Sequence, residues 1–444
     1  MKDLTRGKPV KVILLFAIPL YIGQLFSLSY GLIDTRIIGS ILGGTSLAAV
    51  GSTTALSDLL IEFENGIICG FGIIVAKYYG ANDEEKMKKA IGGMAVMGVG
   101  FTVIISVVCL LFMNTILRLL NVSGSLHDEA FVYISIIIAG MIALSLYSIC
   151  TAILRSIGDS FTPLVFLVIS NVMNIILDIL FVKYMHMGVA GAAIATILTQ
   201  ALSALLCLFY IIKKYPEFSL RFSDLKPDGD MLRELLSSGI SMGFMLSFVL
   251  LGSLALQTTI NQLGANIIVA HTGARKATIM FLIPFFVLGS ALATYCSQNR
   301  GAKEYGRIKK GVSDTLKISA IWCAVVIILV YSSAPVIIRL ITATNEPEVI
   351  NNASLYLKIN SALFFLPAMI CILRNSMQGL GDTKTPLISS LIELVGKVLI
   401  AFILVPVIRY LGVIVAEPIV WAVMIIPLLI RWKKTDFHQL QSSG

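Results

Sequence analysis

Two segments of this chain, 223 residues apart, carry one pattern: Leu154-Arg155-Ser156-Ile157-Gly158-Asp159-Ser160-Phe161-Thr162-Pro163 and Met377-Gln378-Gly379-Leu380-Gly381-Asp382-Thr383-Lys384-Thr385-Pro386. A second pair, Gly80-Ala81 followed by Lys86, Lys88 and Lys89, and Gly301-Ala302 followed by Arg307, Lys309 and Lys310, is offset by 221. All four lie between long apolar runs, so the chain is one membrane unit written twice. A doubled membrane unit points to a transporter whose site lies between its halves.

Of the 444 residues 57% are hydrophobic and 13% charged, and the apolar ones fall in bilayer-length stretches. An integral membrane protein is expected. The first run, from about Val10 to Ile33, is longer than a signal-peptide core and lacks a small-residue cleavage site, so it reads as the first helix. No appended soluble domain is expected. Seven cysteines, scattered singly with no C-x-x-C pair, read as small buried hydrophobes. The formal charge of +9 sits in short loops between spans, where topology explains it and nucleic acid is not implied.

Twelve spans are predicted, at about 12–38, 47–76, 90–117, 128–154, 162–183, 188–212, 233–260, 267–297, 312–340, 351–377, 386–409 and 411–430. Assigning alternate loops to opposite faces puts twenty-three Lys and Arg on one side and four on the other. That bias places both termini in the cytoplasm, with a bacterial inner membrane the expected location. The longest inside loop contains Pro216, Pro227 and Gly229 and divides the chain into an amino-terminal lobe (1–220), a linker (221–232) and a carboxyl-terminal lobe with a short cytoplasmic tail (233–444). Six spans per lobe give both lobes one orientation, which favours a central cavity opened by lobe rocking.

With the R-S-x-G-D-x-x-T-P loop after the fourth span, the chain resembles the MATE (multidrug and toxic compound extrusion) family nearly end to end. Supporting pieces are Ile33-Asp34-Thr35, Leu47-Ala48-Ala49-Val50-Gly51 and the small-residue run Gly188 to Thr196. The resemblance implies an all-α integral membrane fold of twelve helices in two homologous six-helix lobes. The physics of these pieces is mainly structural: Pro163 suits a helix start, and Gly and Ala permit close helix contact.

Asp34 in the first span, and Asn174 with Asp178 one turn apart in the fifth, are candidates for binding a coupling ion. An ionised carboxylate is costly in hydrocarbon and usually faces a cavity, a partner or an ion. Two such groups can exchange a proton, or with amide and hydroxyl oxygens can form a Na⁺ site; the residues leave H⁺ and Na⁺ both open. The resemblance to the DinF-like branch adds an aspartate of helix one, an N-x-x-x-D pair of helix five and a threonine of helix six, which match Asp34, Asn174, Asp178 and Thr196. Tyr30, one turn before Asp34, is a hydrogen-bond partner candidate. The structural alternative pairs Asp34 with Arg36 and sets Asp178 at the membrane edge near Lys183. Pro19, inside the first span, is either a hinge that moves Asp34 or a static kink.

The second lobe departs from the family pattern: its seventh span has only Glu234, at its start, and its tenth has no carboxylate. It carries Arg275, Lys276, Lys358 and Lys397 instead, and the first lobe has extra acids at Asp58, Glu62 and Glu64. Glu393, four residues before Lys397, suits an intrahelical pair, and Arg374 is expected to snorkel to the surface. Arg275, Lys276 and Lys358 either pair with Glu62 or Glu64 across the lobes as a gate, or form a basic wall for an anionic substrate. His271 reads as a hydrogen-bonded structural residue, and none of His127, His186, His271 and His438 has metal-ligand spacing.

The leading expectation is a monomeric secondary antiporter in the lipid bilayer that exports an amphipathic, often cationic, solute in exchange for H⁺ or Na⁺, without cofactor. The alternative is an exporter or flippase of an anionic metabolite or lipid-linked saccharide precursor. A channel or scaffold lacks a filter-like loop here, and an enzyme lacks a nucleotide loop, metal spacing or activated nucleophile.

Overall fold

Inside a bilayer every backbone polar group needs a partner within the chain, and apolar stretches of this length meet that demand as helices. The computed structural model describes residues 3–122, 124–218, 220–226 and 228–435, and these contain no strand. Pro227, His438 and the expected tail lie outside the described residues. The helices are α1 (Pro9–Leu42), α2 (Gly44–Gly80), α3 (Glu84–Leu111), α4 (Met113–Leu119), α5 (Gly124–Ala139), α6 (Met141–Ser156), α7 (Phe161–Asp178) and α8 (Gly188–Lys214). There follow α9 (Gly229–Ile260), α10 (Ala265–Gly301), α11 (Tyr305–Thr342), α12 (Pro347–Ala362), α13 (Phe365–Gly379), α14 (Lys384–Leu399), α15 (Val405–Ile408) and α16 (Tyr410–Lys434).

Ten helical segments are long and apolar enough to cross a membrane, and two bent pairs, α5 with α6 (41°) and α12 with α13 (54°), bring the spans to twelve. The fold is therefore an all-helical membrane protein of the expected span number. Duplication extends to its irregularities. The breaks at Gly140 and Leu363 lie 223 residues apart, and wider π-type turns, Ile179–Tyr184 and Ile400–Leu404, follow α7 and α14. At Gly140 the missing side chain makes room for Ile197, whose Cδ1 would lie 2.1 Å from an added Cβ.

The repeated loop motif has a structural cause. Gly158 (φ 83°) and Gly381 (φ 82°) both adopt the left-handed conformation that glycine tolerates. Asp159 then accepts from the Thr162 N–H (3.0 Å) and hydroxyl (2.7 Å), and Asp382 from the Thr385 N–H (3.1 Å) and hydroxyl (2.8 Å). Each aspartate thus caps the helix that its Thr-Pro begins. Asp382 also receives Arg431 Nε at 2.7 Å. Burial works against its charge, but the Thr385 N–H and the Arg431 guanidinium hold its carboxyl below the usual carboxylate range. A depressed pKa makes this contribution complete above the unfolded value, about 3.9, and lost as pH falls through the folded one. Asp382→Asn is expected to lower the melting midpoint at pH 7 by the equivalent of about 1 kcal/mol. The difference from wild type should shrink in melts carried progressively below pH 4; a gap independent of pH would contradict the capping role.

Contacts divide the chain into two units. Unit 1 holds Ile18–Gly243, and unit 2 holds Leu4–Ala17 together with the chain from Phe244 on. The segment 221–232 expected as the lobe boundary therefore lies inside unit 1, and the divisions fall within α1 and α9 instead. Specific bonds explain both. The segment leading into α1 is tied to the rest of unit 2: the Leu4 N–H donates to Gln298 Oε1 (3.1 Å), and Arg307 donates to the carbonyls of Gly7 (2.8 Å) and Leu4 (3.3 Å). The first half of α9 packs on α2 of unit 1 through facing glycines, where a Cβ on Gly70 would come 2.5 Å from the Ser238 carbonyl and one on Gly66 2.8 Å from Gly243 Cα. Ser238 Oγ donates to the Gly70 carbonyl (2.7 Å), and Glu234 takes Lys77 Nζ at 2.6 Å and the Tyr78 hydroxyl at 2.8 Å. α1 changes unit beside Pro19, the one proline inside it.

Candidate functional site

Within unit 1, α1, α7 and α8 bring five polar side chains together inside their apolar spans. Asn174 and Asp178, one turn apart on α7, are buried. In that group the Asn174 amide donates through Nδ2 to the Tyr30 hydroxyl of α1. The amide orientation that satisfies both its atoms puts Nδ2 2.9 Å from Asp178 Oδ2 and Oδ1 3.1 Å from the Thr196 backbone N–H. Tyr30 also lies within hydrogen-bonding reach of the Thr196 side chain, and the carboxyls of Asp34 and Asp178 within reach of each other. Asp178 ends the regular part of α7, where the π-type turn begins, a local widening that recurs at functional sites.

The pairing with surface cations weighed from sequence is absent among the described residues. Asp34 Oδ1 and Asp178 Oδ1 are both buried with no partner, Arg36 is exposed, and Lys183 lies over the Tyr184 ring at 5.7 Å. Buried polar atoms without partners are rare and call for a physical reason. Two participants were missed from sequence. Tyr133 of α5 lies within electrostatic reach of Asp34, Asp178 and Asp58, and Thr199 Oγ1 is 3.5 Å from the Asn174 amide. A tyrosine in an apolar span is too common to single out, and Thr199 lies one turn beyond Thr196 on a face that the sequence had marked for close packing.

The other candidates do not join this group. Pro19 lies nearly three turns before Tyr30 on α1. Glu64 is buried beside Thr102, whose Oγ1 donates to Oε1 at 2.5 Å and lies 3.0 Å from Ser145 Oγ. Glu62 is half-buried, Lys276 exposed and Lys358 half-buried. The expected pairing of Arg275 with Glu62 or Glu64 is corrected: Arg275 Nη1 lies 3.0 Å from Glu417 Oε1, inside its own unit.

That pair belongs to a buried charge cluster in unit 2. Lys397 Nζ, in a side chain 1% exposed, is 2.9 Å from Glu393 Oε1, 3.2 Å from Glu417 Oε1 and 3.3 Å from Ser253 Oγ. Arg374 Nη1 is 3.6 Å from Glu393 Oε2 and donates to Ser390 Oγ at 3.0 Å. Arg374 is therefore buried and engaged, not snorkelled, because a carboxylate and a hydroxyl within the bundle offer it the hydrogen bonds that the surface would. Glu417, absent from the sequence-based candidates, was signalled as an acid in the middle of the last span. His271 is held by the edges of Tyr356 (5.3 Å) and Tyr410 (6.1 Å) with Nδ1 unpartnered, not by the hydrogen bond expected there.

A duplicated twelve-span bundle with two carboxyls in contact in the middle of its first half describes an ion-coupled membrane transporter. A model of the MatE family matches residues 19–180 and 241–403, most of both repeats, and the chain belongs to that family. Among similar proteins are the probable multidrug resistance proteins YoeA and YpnP of Bacillus subtilis strain 168. YoeA is 29% identical, over 96% of this chain and 95% of its own length, and YpnP is 28% identical, over 88% and 87%. A solved structure described as MATE in the bent conformation has a TM-score of 0.91 at 22% identity, covering 100% of this chain and 98% of that one.

Proposed function

We propose that the chain is a secondary-active exporter of amphipathic, chiefly cationic, drugs or metabolites, driven by H⁺ or Na⁺ exchanged at Asp34 and Asp178 and working by alternating access. The observation that carries this reading is the contact between these two carboxyls in an apolar bundle. Two ionised carboxylates repel at such a distance, so the arrangement is held by a proton or cation between them and is disfavoured when that ion leaves. Tyr30 and Asn174 orient the pair, and Thr196 fixes the amide. Because Asp34 and Tyr30 sit on α1 beyond Pro19, loss of the ion is transmitted along a helix that changes unit at that proline. Both termini lie in the cytoplasm, as the loop charges favour, and the chain is read as working as a monomer.

The donor set favours H⁺ over Na⁺. Asn174 turns its nitrogen toward Asp178 and its oxygen toward the Thr196 N–H, so it does not offer the oxygen a hard cation needs. An anionic or lipid-linked substrate finds less support, since Arg275 is paired with Glu417. The test is efflux of a fluorescent lipophilic cation from proteoliposomes under an imposed pH gradient and, separately, an imposed Na⁺ gradient. Efflux under the pH gradient alone is expected. No efflux under either gradient would overturn the reading.

A further inference from the structure

The buried cluster of unit 2 occupies the repeat-related counterpart of the carboxyl site in unit 1. Thr162-Pro163 and Thr385-Pro386 open α7 and α14 with an offset of 223, and an unbroken helix keeps that register. Asn174 then corresponds to Lys397. The helix that opens each repeat contributes too: Tyr30 of α1 bonds Asn174, and Ser253 of α9 lies 3.3 Å from Lys397 Nζ. The third helices agree as well, α8 supplying Thr196 to one site and α16 Glu417 to the other.

The contents differ in one respect. In unit 1 two carboxyls meet with an unpartnered oxygen on each, and no side-chain cation reaches them among the described residues. In unit 2 two carboxylates hold an ammonium group between them, at 2.9 and 3.2 Å. Each of these carboxylates also has an arginine, Arg374 for Glu393 and Arg275 for Glu417, so the lysine is the charge in excess: three cations against two carboxylates. A network kept for structure alone gains nothing from a surplus buried charge.

We propose that the Lys397 ammonium is a tethered cation that permanently fills unit 2's counterpart of the ion site, leaving one exchangeable site per chain, in unit 1. This rests on the reading of Asp34 and Asp178 as the ion site. Lysine suits the role because its ammonium is a compact point charge on a flexible stem, nearer to a small free cation than the planar arginine fork. Removing it should leave two balanced pairs, Arg275–Glu417 and Arg374–Glu393, around a polar space beside Ser253 that a small free cation can enter.

The experiment uses full-length protein in detergent with Lys397→Asn, which installs the residue found at 174, in an Asp178→Asn background that silences unit 1. Melting midpoints are measured against NaCl and ethylammonium chloride, with choline chloride holding ionic strength constant. A saturable upward shift with Na⁺ or ethylammonium is expected in the double variant. None is expected in Asp178→Asn alone, nor in Asp178→Asn with Lys397→Met, whose side chain fills the space. Recovery of folded double variant only from Na⁺ or ethylammonium buffer is the same result. A folded double variant that responds to neither cation, or one that aggregates in every buffer, overturns the proposal. Failure of the unit 1 reading would show separately, as export that survives Asp178→Asn.

Discussion

Asp178→Asn is expected to reduce gradient-driven efflux to the level of protein-free liposomes while the protein remains folded and monodisperse. Asparagine matches the carboxyl in shape, and its amide can still meet Asn174, so the packing of α7 on α8 has no reason to change. What it removes is the capacity to carry a proton or a charge. Asp34→Asn should do the same. The double variant should be no worse than either single one, because groups acting as one unit are not additive. Asn174→Ala is a graded control: it deletes the amide that orients the pair but leaves both carboxyls, so efflux under the pH gradient should survive at a reduced rate. Full efflux in both aspartate variants, measured with wild-type reconstitution yields, would remove the pair from the coupling mechanism.

Much of this architecture was legible in the sequence because it is written in features that a bilayer enforces. Span length follows hydrocarbon thickness, and the duplicated loop follows from a left-handed glycine and a capping aspartate at Gly158-Asp159 and Gly381-Asp382. Asp34, Asn174 and Asp178 stood out because polar groups in apolar spans are expensive. The same logic should have flagged Glu417. Glu417 lies outside helices seven and ten, where the family pattern places acids, and the sequence does not say which carboxylate meets Arg275. Pairings of this kind depend on helix rotation, which periodicity does not fix when all faces are apolar. The exchange of helix halves between units was also hidden, since it rests on particular bonds from Leu4, Gly7 and Ser238, and glycine contacts such as Gly70 against Ser238 carry no signal beyond small size.

Glu417→Gln should destabilise the protein more than any other single change in unit 2. The amide keeps the shape but leaves Arg275 with no carboxylate, and the cluster with three cations and one anion. Breaking a buried pair from one side costs about 3–5 kcal/mol, because the surviving charge stays desolvated. A large drop in melting midpoint and in monodisperse yield is expected. Adding Arg275→Met returns the cluster to a surplus of one positive charge and should recover part of the loss, giving a coupling between the two sites of roughly 0.5–3 kcal/mol. Simple addition of the two losses would show that Arg275 and Glu417 do not act as a pair. The comparison with Lys397 makes the argument sharper. Lys397 is the more deeply buried, 1% exposed against 6% for the Glu417 side chain, so burial alone ranks Lys397→Asn as the worse change. Charge balance ranks it milder, because its removal leaves each carboxylate with its own arginine. The order of the two melting midpoints decides between burial and charge balance as the quantity that holds this half of the protein together.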